Sequence, residues 1–201
     1  MKRLTLFAIM IVFVAVPIVF WSRTLTPGIS FAIYLNGVSR LFALIGFVLL
    51  IFQYLLSSKI KWLERGMGPG RLFGIHRKCG FGSIILILLH PICLLASEKL
   101  MGYSSPLGPL KIIGVFTLFV LLIASGAAIF NNRLHLKRET WKNIHKANYA
   151  IFPLGFAHSF FLGSDLLNWP LRIFWLLMGF IYMAVLLFKT WKWFTSRLQI
   201  K

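Results

Sequence analysis

The sequence is poor in charge, and above all in acidic residues. Only 13% of its 201 residues are charged, and 4 Asp and Glu residues stand against 22 Lys and Arg residues. About a quarter of the residues in a soluble domain are charged. This low charge, together with a hydrophobic content of 59%, excludes an ordinary soluble domain and indicates an integral membrane protein.

Other features that are scarce or absent narrow the class further. The two cysteines, Cys79 and Cys93, lie fourteen residues apart on one predicted helix, too far apart for a disulfide, and no zinc framework is present. No basic segment interleaved with aromatic residues lies outside the apolar segments, so we expect membrane lipid and no nucleic acid as a partner. Internal repeats, low-complexity linkers and a soluble domain are also missing, which predicts a single domain over residues 1–201.

Six apolar segments run along the chain, each near the roughly 20 residues needed to cross a hydrocarbon core of about 30 Å. Main-chain groups in lipid must pair within their own segment, so we expect helices. The segments are Leu4–Trp21, Ile29–Leu56, Cys79–Ala96, Leu110–Phe130, Ala147–Leu162 and Leu171–Lys189. The predicted fold is therefore an all-α integral membrane protein, a six-transmembrane-helix bundle, located in the cell membrane.

The first segment resembles a signal peptide because it follows a basic start. Its apolar run of 18 residues is longer than usual, and no clear A-x-A cleavage site follows it. We expect it to be retained as the first span, with cleavage as the alternative. The glycine-rich stretch RGMGPGRLFG, before the third segment, does not match a dinucleotide-binding motif and is interpreted as a flexible loop.

The basic residues predict how the bundle is oriented. Seventeen of the 22 Lys and Arg residues fall in the N-terminus, the second and fourth loops and the C-terminus. The remaining five lie on the other side: Arg23, Arg40, Lys99, Lys111 and Arg172. The more basic side of a membrane protein faces the cytoplasm. Both termini are therefore expected in the cytoplasm, as an even number of spans requires.

Four of the five histidines fall into two spaced pairs. His76 and His90 bracket the third segment with thirteen residues between them, and His145 and His158 bracket the fifth with twelve between them. Both segments run outward, so His76 and His145 are expected at the cytoplasmic end and His90 and His158 at the outer end. The rise along each helix is similar, about 21 and 19.5 Å.

The two histidine spacings predict different angles between the paired side chains around the helix axis. Fourteen residues return to within about 40° of the starting face, but thirteen leave about 140°. A local distortion at Pro153, between His145 and His158, could restore the facing of the second pair.

Imidazoles from two helices, paired at two depths, suit the two axial positions of haem iron. Two bis-histidine haems would then form an electron path across most of the bilayer. His135 has no partner and is interpreted as a solvated loop residue. One metal ion shared by all four histidines is excluded because the two ends are too far apart.

These motifs resemble the transmembrane domain of the ferric reductase and NADPH oxidase superfamily. The H-x13-H and H-x12-H spacings, HRKCG around His76, LLHP around His90 and WKNIHKANY around His145 carry the resemblance. It implies two b-type haems, with His76 and His145 on the inner haem iron and His90 and His158 on the outer one. The chain is also similar to the haem-binding membrane subunit of periplasmic methionine sulfoxide reductase. That subfamily lacks the counterpart of His76, which favours the reductase branch.

Two arginines are further candidates for cofactor binding. Arg40 lies inside the outer end of the second segment, where a charge expects a partner. The resemblance suggests an outer haem propionate or an anionic acceptor for it, and snorkelling to the interface is the alternative. Arg77 could meet an inner propionate, because arginine suits carboxylates, or could serve only as a cytoplasmic anchor.

The resemblance predicts a stand-alone domain that transfers electrons outward. Full-length relatives carry a flavin- and nicotinamide-binding domain after the sixth span, so we expect a separate cytoplasmic flavoprotein or quinol as donor. Candidate acceptors on the outer side are a ferric chelate, dioxygen or a periplasmic protein. The alternatives are a haem-binding subunit of a periplasmic reductase, such as a methionine sulfoxide reductase system, or a subunit that only anchors a complex. A transporter is disfavoured because mid-span positions are almost purely apolar.

Overall fold

A computed structural model describes residues 2–24 and 28–198, and every regular element in those residues is a helix. One short 3-10 helix, Ser164–Leu167, precedes the last α-helix. The α-helices are α1 (Lys2–Ser22), α2 (Phe31–Leu56), α3 (Lys61–Met67), α4 (Pro69–Leu100), α5 (Pro109–Ile129), α6 (Arg138–Lys146), α7 (Asn148–Leu162) and α8 (Trp169–Leu198).

Helix starts follow local sequence signals. Ser30 caps α2, accepting a hydrogen bond from the Ile33 N–H at 3.4 Å. Both α4 and α5 begin with a proline, which needs no N–H partner in the first turn. Gly68, with φ of 78°, separates α3 from α4. The predicted flexible loop before the third segment is therefore wrong, because a single glycine turn joins two helices there.

The central helix of the bundle is α2. It packs against α4 over much of its length and also contacts α1, α7 and α8, whereas α7 packs mainly on α5. Its Val48 and Ile51 are fully buried. The first helix, α1, contacts α2, α3 and α8. Two helix pairs, α2–α4 and α5–α7, result from this packing.

Aromatic rings fill the core between α2, α7 and α8. Phe47 stacks on Trp175 at 5.1 Å and on Phe152 at 4.7 Å between ring centroids, and Phe152 stacks on Tyr182 at 4.4 Å. Trp175 also donates to Ser159 Oγ on α7 at 2.9 Å. Offset-stacked rings of this kind contribute beyond the area that they bury, so this cluster fixes the three helices relative to one another.

The outer surface of the bundle is apolar, as lipid requires. Large side chains such as Phe81, Ile92 and Leu95 on α4 and Phe116 and Phe119 on α5 are more than half exposed. Among the described residues, five helices are long and apolar enough to cross a membrane: α1, α2, α4, α5 and α8. The prediction of a multi-pass, all-helical membrane protein is confirmed.

The fifth predicted segment differs from the other five. It corresponds to α7, which has 15 residues and rises about 22 Å, less than the roughly 30 Å of a hydrocarbon core. A turn at Ala147 separates α7 from the polar helix α6. The helix is thus interrupted directly after His145, whereas α7 continues through Pro153, where the sequence suggested the distortion. The six-span count and the cytoplasmic placement of both termini stay predictions, and Lys201 lies outside the described residues.

A fusion experiment can decide whether α7 crosses the membrane. We expect a C-terminal green fluorescent protein fusion to fluoresce and an alkaline phosphatase fusion to be inactive, because both termini of a six-span protein face the cytoplasm. Labelling of an N-terminal epitope in intact and permeabilised cells fixes the other end. Termini on opposite sides of the membrane would contradict the six-span arrangement.

Candidate functional site

His90 on α4 is held by Ser39 on α2. Its Nδ1 lies 3.0 Å from the Ser39 main-chain oxygen, and the Ser39 hydroxyl donates to the His90 carbonyl at 3.0 Å. Ser39 is fully buried. A carbonyl oxygen can only accept, so Nδ1 of a neutral His90 carries the hydrogen. The lone pair then remains on Nε2, the nitrogen available to a metal.

Gln53, nearer the C-terminal end of α2, holds His76. In the amide orientation that satisfies its neighbours, Gln53 donates to the His76 carbonyl at 2.8 Å and accepts from the Gly80 N–H at 3.0 Å. Its nitrogen is also 2.9 Å from His76 Nδ1. In that orientation a Cβ on Gly80 would lie 3.0 Å from the Gln53 amide nitrogen, so glycine lets this side chain reach α4.

The contacts between α2 and α4 repeat every seven residues. Between the two histidine contacts, the buried Ser83 hydroxyl donates to the Gly46 carbonyl at 2.8 Å. A Cβ on Gly46 would meet Ile87 at 2.7 Å, so these helices touch closely. Three residues of α2 thus face three of α4 in antiparallel order: Ser39, Gly46 and Gln53 opposite His90, Ser83 and His76. This register brings both α4 histidines to the same interface with α2.

His158 on α7 lies directly on the backbone of α5. Its Nδ1 is 2.7 Å from the Leu110 carbonyl oxygen. Gly114, one turn further along α5, makes this approach possible, because a Cβ there would lie 2.6 Å from His158 Cε1 and 2.7 Å from Nδ1. Any other residue at position 114 must displace the imidazole.

His145, the last of the four, lies near the end of α6. Its Nδ1 is 3.1 Å from the Ala124 carbonyl oxygen on α5 and 2.9 Å from the Asn148 amide nitrogen. The two carbonyls used on α5, those of Leu110 and Ala124, are fourteen residues apart, but His145 and His158 are separated by thirteen. The turn at Ala147 lies between the histidines and accommodates this difference in helical phase.

The structure brings the sequence-predicted pairs together. The rings of His76 and His145 are 6.5 Å apart between centroids, with planes 80° apart. His90 and His158 are close enough to interact electrostatically. His76 and His90 lie on α4, which packs mainly on α2, whereas His145 on α6 and His158 on α7 lie on helices that contact α5. Each histidine pair therefore joins these two groups of helices.

The distance between the inner rings fits a shared iron. Two imidazoles that would share one metal ion, each with a metal–nitrogen distance of about 2 Å, would have ring centroids roughly 6 Å apart. The 6.5 Å separation matches this value. The Nδ1 contacts with main-chain carbonyls at His90, His145 and His158 also leave Nε2 free for a metal.

The remaining candidates are placed as follows. His135 is exposed in the loop after α5, with φ of 50°. Arg77 is exposed on α4 next to His76. Within the described residues, no group of three or more His, Cys, Asp and Glu side chains could hold a metal ion.

Arg40 is bound to residues that sequence reasoning missed. Its guanidinium donates to Ser164 Oγ at 2.9 Å and pairs with the buried Asp165 carboxylate at 3.4 Å. Burial raises the pKa of Asp165, although Arg40 acts in the opposite direction. Arg40 also lines a cavity of about 320 Å³ with Asn36 and Tyr103. The preceding residue in the sequence, Ser39, holds His90, but no histidine is among the residues that line this cavity.

The fold and the facing histidines define a multi-pass membrane protein with two imidazole pairs at different depths. Residues 42–156, more than half of the chain, match the family model described as "Ferric reductase like transmembrane component". The chain belongs to this family, which confirms the resemblance seen in the sequence, and its function is transmembrane electron transfer. The match includes His76, His90 and His145 and ends two residues before His158. No curated protein and no solved structure matches the chain.

Gly114 provides a test of the outer pair. We expect Gly114→Ala to displace His158 and to lower the haem content per chain by about half, because the new Cβ cannot coexist with the ring. Alanine normally stabilises a helix relative to glycine by about 0.5–1 kcal/mol, so a loss of haem in this variant would not come from a lower helix propensity. Haem per chain is measured as the pyridine haemochrome, with Gly70→Ala, where a Cβ has no neighbour within 4 Å, as the control. An unchanged haem content in Gly114→Ala would contradict the placement of His158.

Proposed function

We propose that this protein transfers electrons through two b-type haems, one between His76 and His145 and one between His90 and His158. The observation that carries the proposal is the pairing of imidazoles from two separately packed helix pairs, with an inner ring separation of 6.5 Å. When bound, haem supplies an iron that accepts and releases one electron at a time. No acid, base or nucleophile from the chain is needed.

The chain itself would fix the ligands and set their surroundings. Main-chain carbonyls on α2 and α5 orient the rings, and such outer hydrogen bonds fix the tautomer and raise the basicity of a ligating imidazole. The apolar surface of α4 and α5 excludes water, and a low-dielectric surrounding tunes the reduction potential. Arg77, exposed beside His76, is proposed to meet an inner propionate.

The donor is proposed to act at the basic side, predicted to be cytoplasmic. The loop before α6 and α6 itself carry five basic residues and one acid, Glu139. A positive surface of this kind favours encounter with an acidic protein partner. A separate cytoplasmic flavoprotein is therefore the proposed donor, with a membrane quinol as the other candidate.

The acceptor is proposed to meet the outer pair through the cavity beside Arg40. That cavity is polar at Asn36, Arg40 and Tyr103, and Arg40 directly follows Ser39, the residue that holds His90, in the sequence. A guanidinium that has already formed an ion pair with Asp165 retains donors for a second anion. A small anionic ferric chelate fits these features, and dioxygen needs no such group.

An alternative proposal is a haem-binding membrane subunit that passes electrons to a periplasmic reductase. The short outer connections support it: Leu107, Leu167 and Trp169 are all more than 60% exposed there. Apolar side chains outside the span present a surface on which a protein could dock. A methionine sulfoxide reductase is the kind of partner that the sequence suggests.

Histidine variants test the haem assignment. Replacing His90 or His158 with alanine should remove the outer haem, and replacing His76 or His145 the inner one, because each haem needs both axial ligands. The measurements are haem per chain and the reduced-minus-oxidised absorption spectrum, with a redox titration to show which component is lost. His135→Ala is the matched control and should keep both haems. Four variants with unchanged spectra would refute the assignment.

The donor is tested with reconstituted protein. We expect a cytosolic flavin reductase with its nicotinamide cofactor to reduce the haems from the basic side, at a rate that falls as salt screens the surface charges. Stopped-flow absorption of the haem bands gives the rate. Reduction by quinol alone, with none from any flavoprotein, would reject the flavoprotein donor and retain the electron path.

A further inference from the structure

We propose that a groove at the basic end of the bundle binds the headgroup of an anionic phospholipid from the surrounding leaflet. The groove has a volume of about 420 Å³ and lies between the start of α3 and the end of α8. Three lysines and three aromatic residues form most of its wall: Lys59, Lys61, Lys192, Trp62, Phe188 and Trp191. This anionic lipid groove is independent of the histidine pairs.

The three lysines have no acidic partner. Among the described residues both ion pairs lie elsewhere, joining Arg40 to Asp165 and Lys111 to Glu98. No acidic side chain lines the groove. Three ammonium groups around one cavity repel each other, so a bound phosphate would relieve this repulsion as well as form charge-assisted hydrogen bonds.

A neighbouring lysine differs because its ammonium group is hydrogen-bonded within the protein. Lys189, on the same helix as Lys192, donates to Ser57 Oγ at 3.0 Å and to the Tyr149 hydroxyl. Lys59 and Lys61 form no such hydrogen bonds within the described residues. Lys59 even occupies a left-handed conformation, with φ of 55°, that favours glycine or asparagine.

The aromatic wall identifies the ligand as a lipid rather than a soluble anion. Trp62 and Trp191 are 48% and 65% exposed, and α8 is apolar enough to span the membrane as far as Ser196. Tryptophans at the end of a span lie at the level of lipid headgroups. A free phosphate would gain nothing from these rings, whereas the glycerol and upper acyl chains of a phospholipid would pack against them. Basic pockets between helices on the cytoplasmic side are suited to such headgroups.

The test measures lipid retention by native mass spectrometry of the full chain purified in detergent. The protein is offered equal amounts of dioleoyl phosphatidylglycerol and dioleoyl phosphatidylcholine. We expect one phosphatidylglycerol to be retained preferentially by the unmodified protein. In the triple variant K59Q/K61Q/K192Q that preference should fall at least about tenfold, since each basic residue near anionic lipid contributes on the order of a fivefold change.

A matched triple variant separates a site from general charge. K137Q/R138Q/K142Q removes the same charge at and just before α6, on the same side of the bundle, and should keep the preference. Trp62→Ala combined with Trp191→Ala should weaken retention of both lipids, because the rings contact parts that both lipids share. Size-exclusion profiles establish that each variant is folded.

Three outcomes would overturn the proposal. The unmodified protein could show no preference for phosphatidylglycerol, or the two triple variants could lose the preference equally, which would mean that general charge suffices. Inorganic phosphate at millimolar concentration could displace the lipid while the tryptophan variant binds normally, which would identify a free-anion site. Since haem content does not enter the measurement, its result is independent of the proposed electron path.

Discussion

A hydrogen bond between the ring nitrogen Nδ1 and the main chain of an adjacent helix is the contact on which the candidate site depends. At His90 and His158 the partner is a carbonyl oxygen that can only accept. The ring is thereby held in one orientation and in one tautomer, with Nε2 unprotonated. A carbonyl in a helix has a second lone pair to offer, so this arrangement needs no additional polar side chain in lipid.

The same contact explains why the bundle is built from two helix pairs. In one group α4 carries His76 and His90 and packs on α2, which orients them; in the other, α5 orients His145 at the end of α6 and His158 on α7. Close approach within a pair depends on glycines, Gly46 between α2 and α4 and Gly114 beneath His158. Small residues are the usual means by which membrane helices approach closely. The aromatic cluster around Phe47 and Trp175 then fixes α2 against α8.

The sequence allowed prediction of the membrane class, most helices and the four histidines, because apolar length and histidine spacing depend on the chain alone. It did not reveal that Arg40 contacts Ser164 and the adjacent Asp165, because Ser164 lies 124 residues after Arg40 in the sequence. One further signal lies in the sequence: Ser39 and Gln53, which contact His90 and His76, are fourteen residues apart, as are the two histidines. The interruption at Ala147, rather than at Pro153, could not be predicted because it depends on where the α5 carbonyls lie.

The separation of His76 and His90 along α4 has an electrical consequence. Fourteen helical residues rise about 21 Å, roughly two thirds of a hydrocarbon core of about 30 Å. One elementary charge that crosses the whole membrane potential changes in energy by about 2.3 kcal/mol per 100 mV, so under the proposed direction an electron passing outward between these two levels would fall in energy by about 1.5 kcal/mol per 100 mV. A cell interior that is electrically negative would therefore favour outward electron flow, and each electron that left would partly discharge the membrane unless a cation followed it.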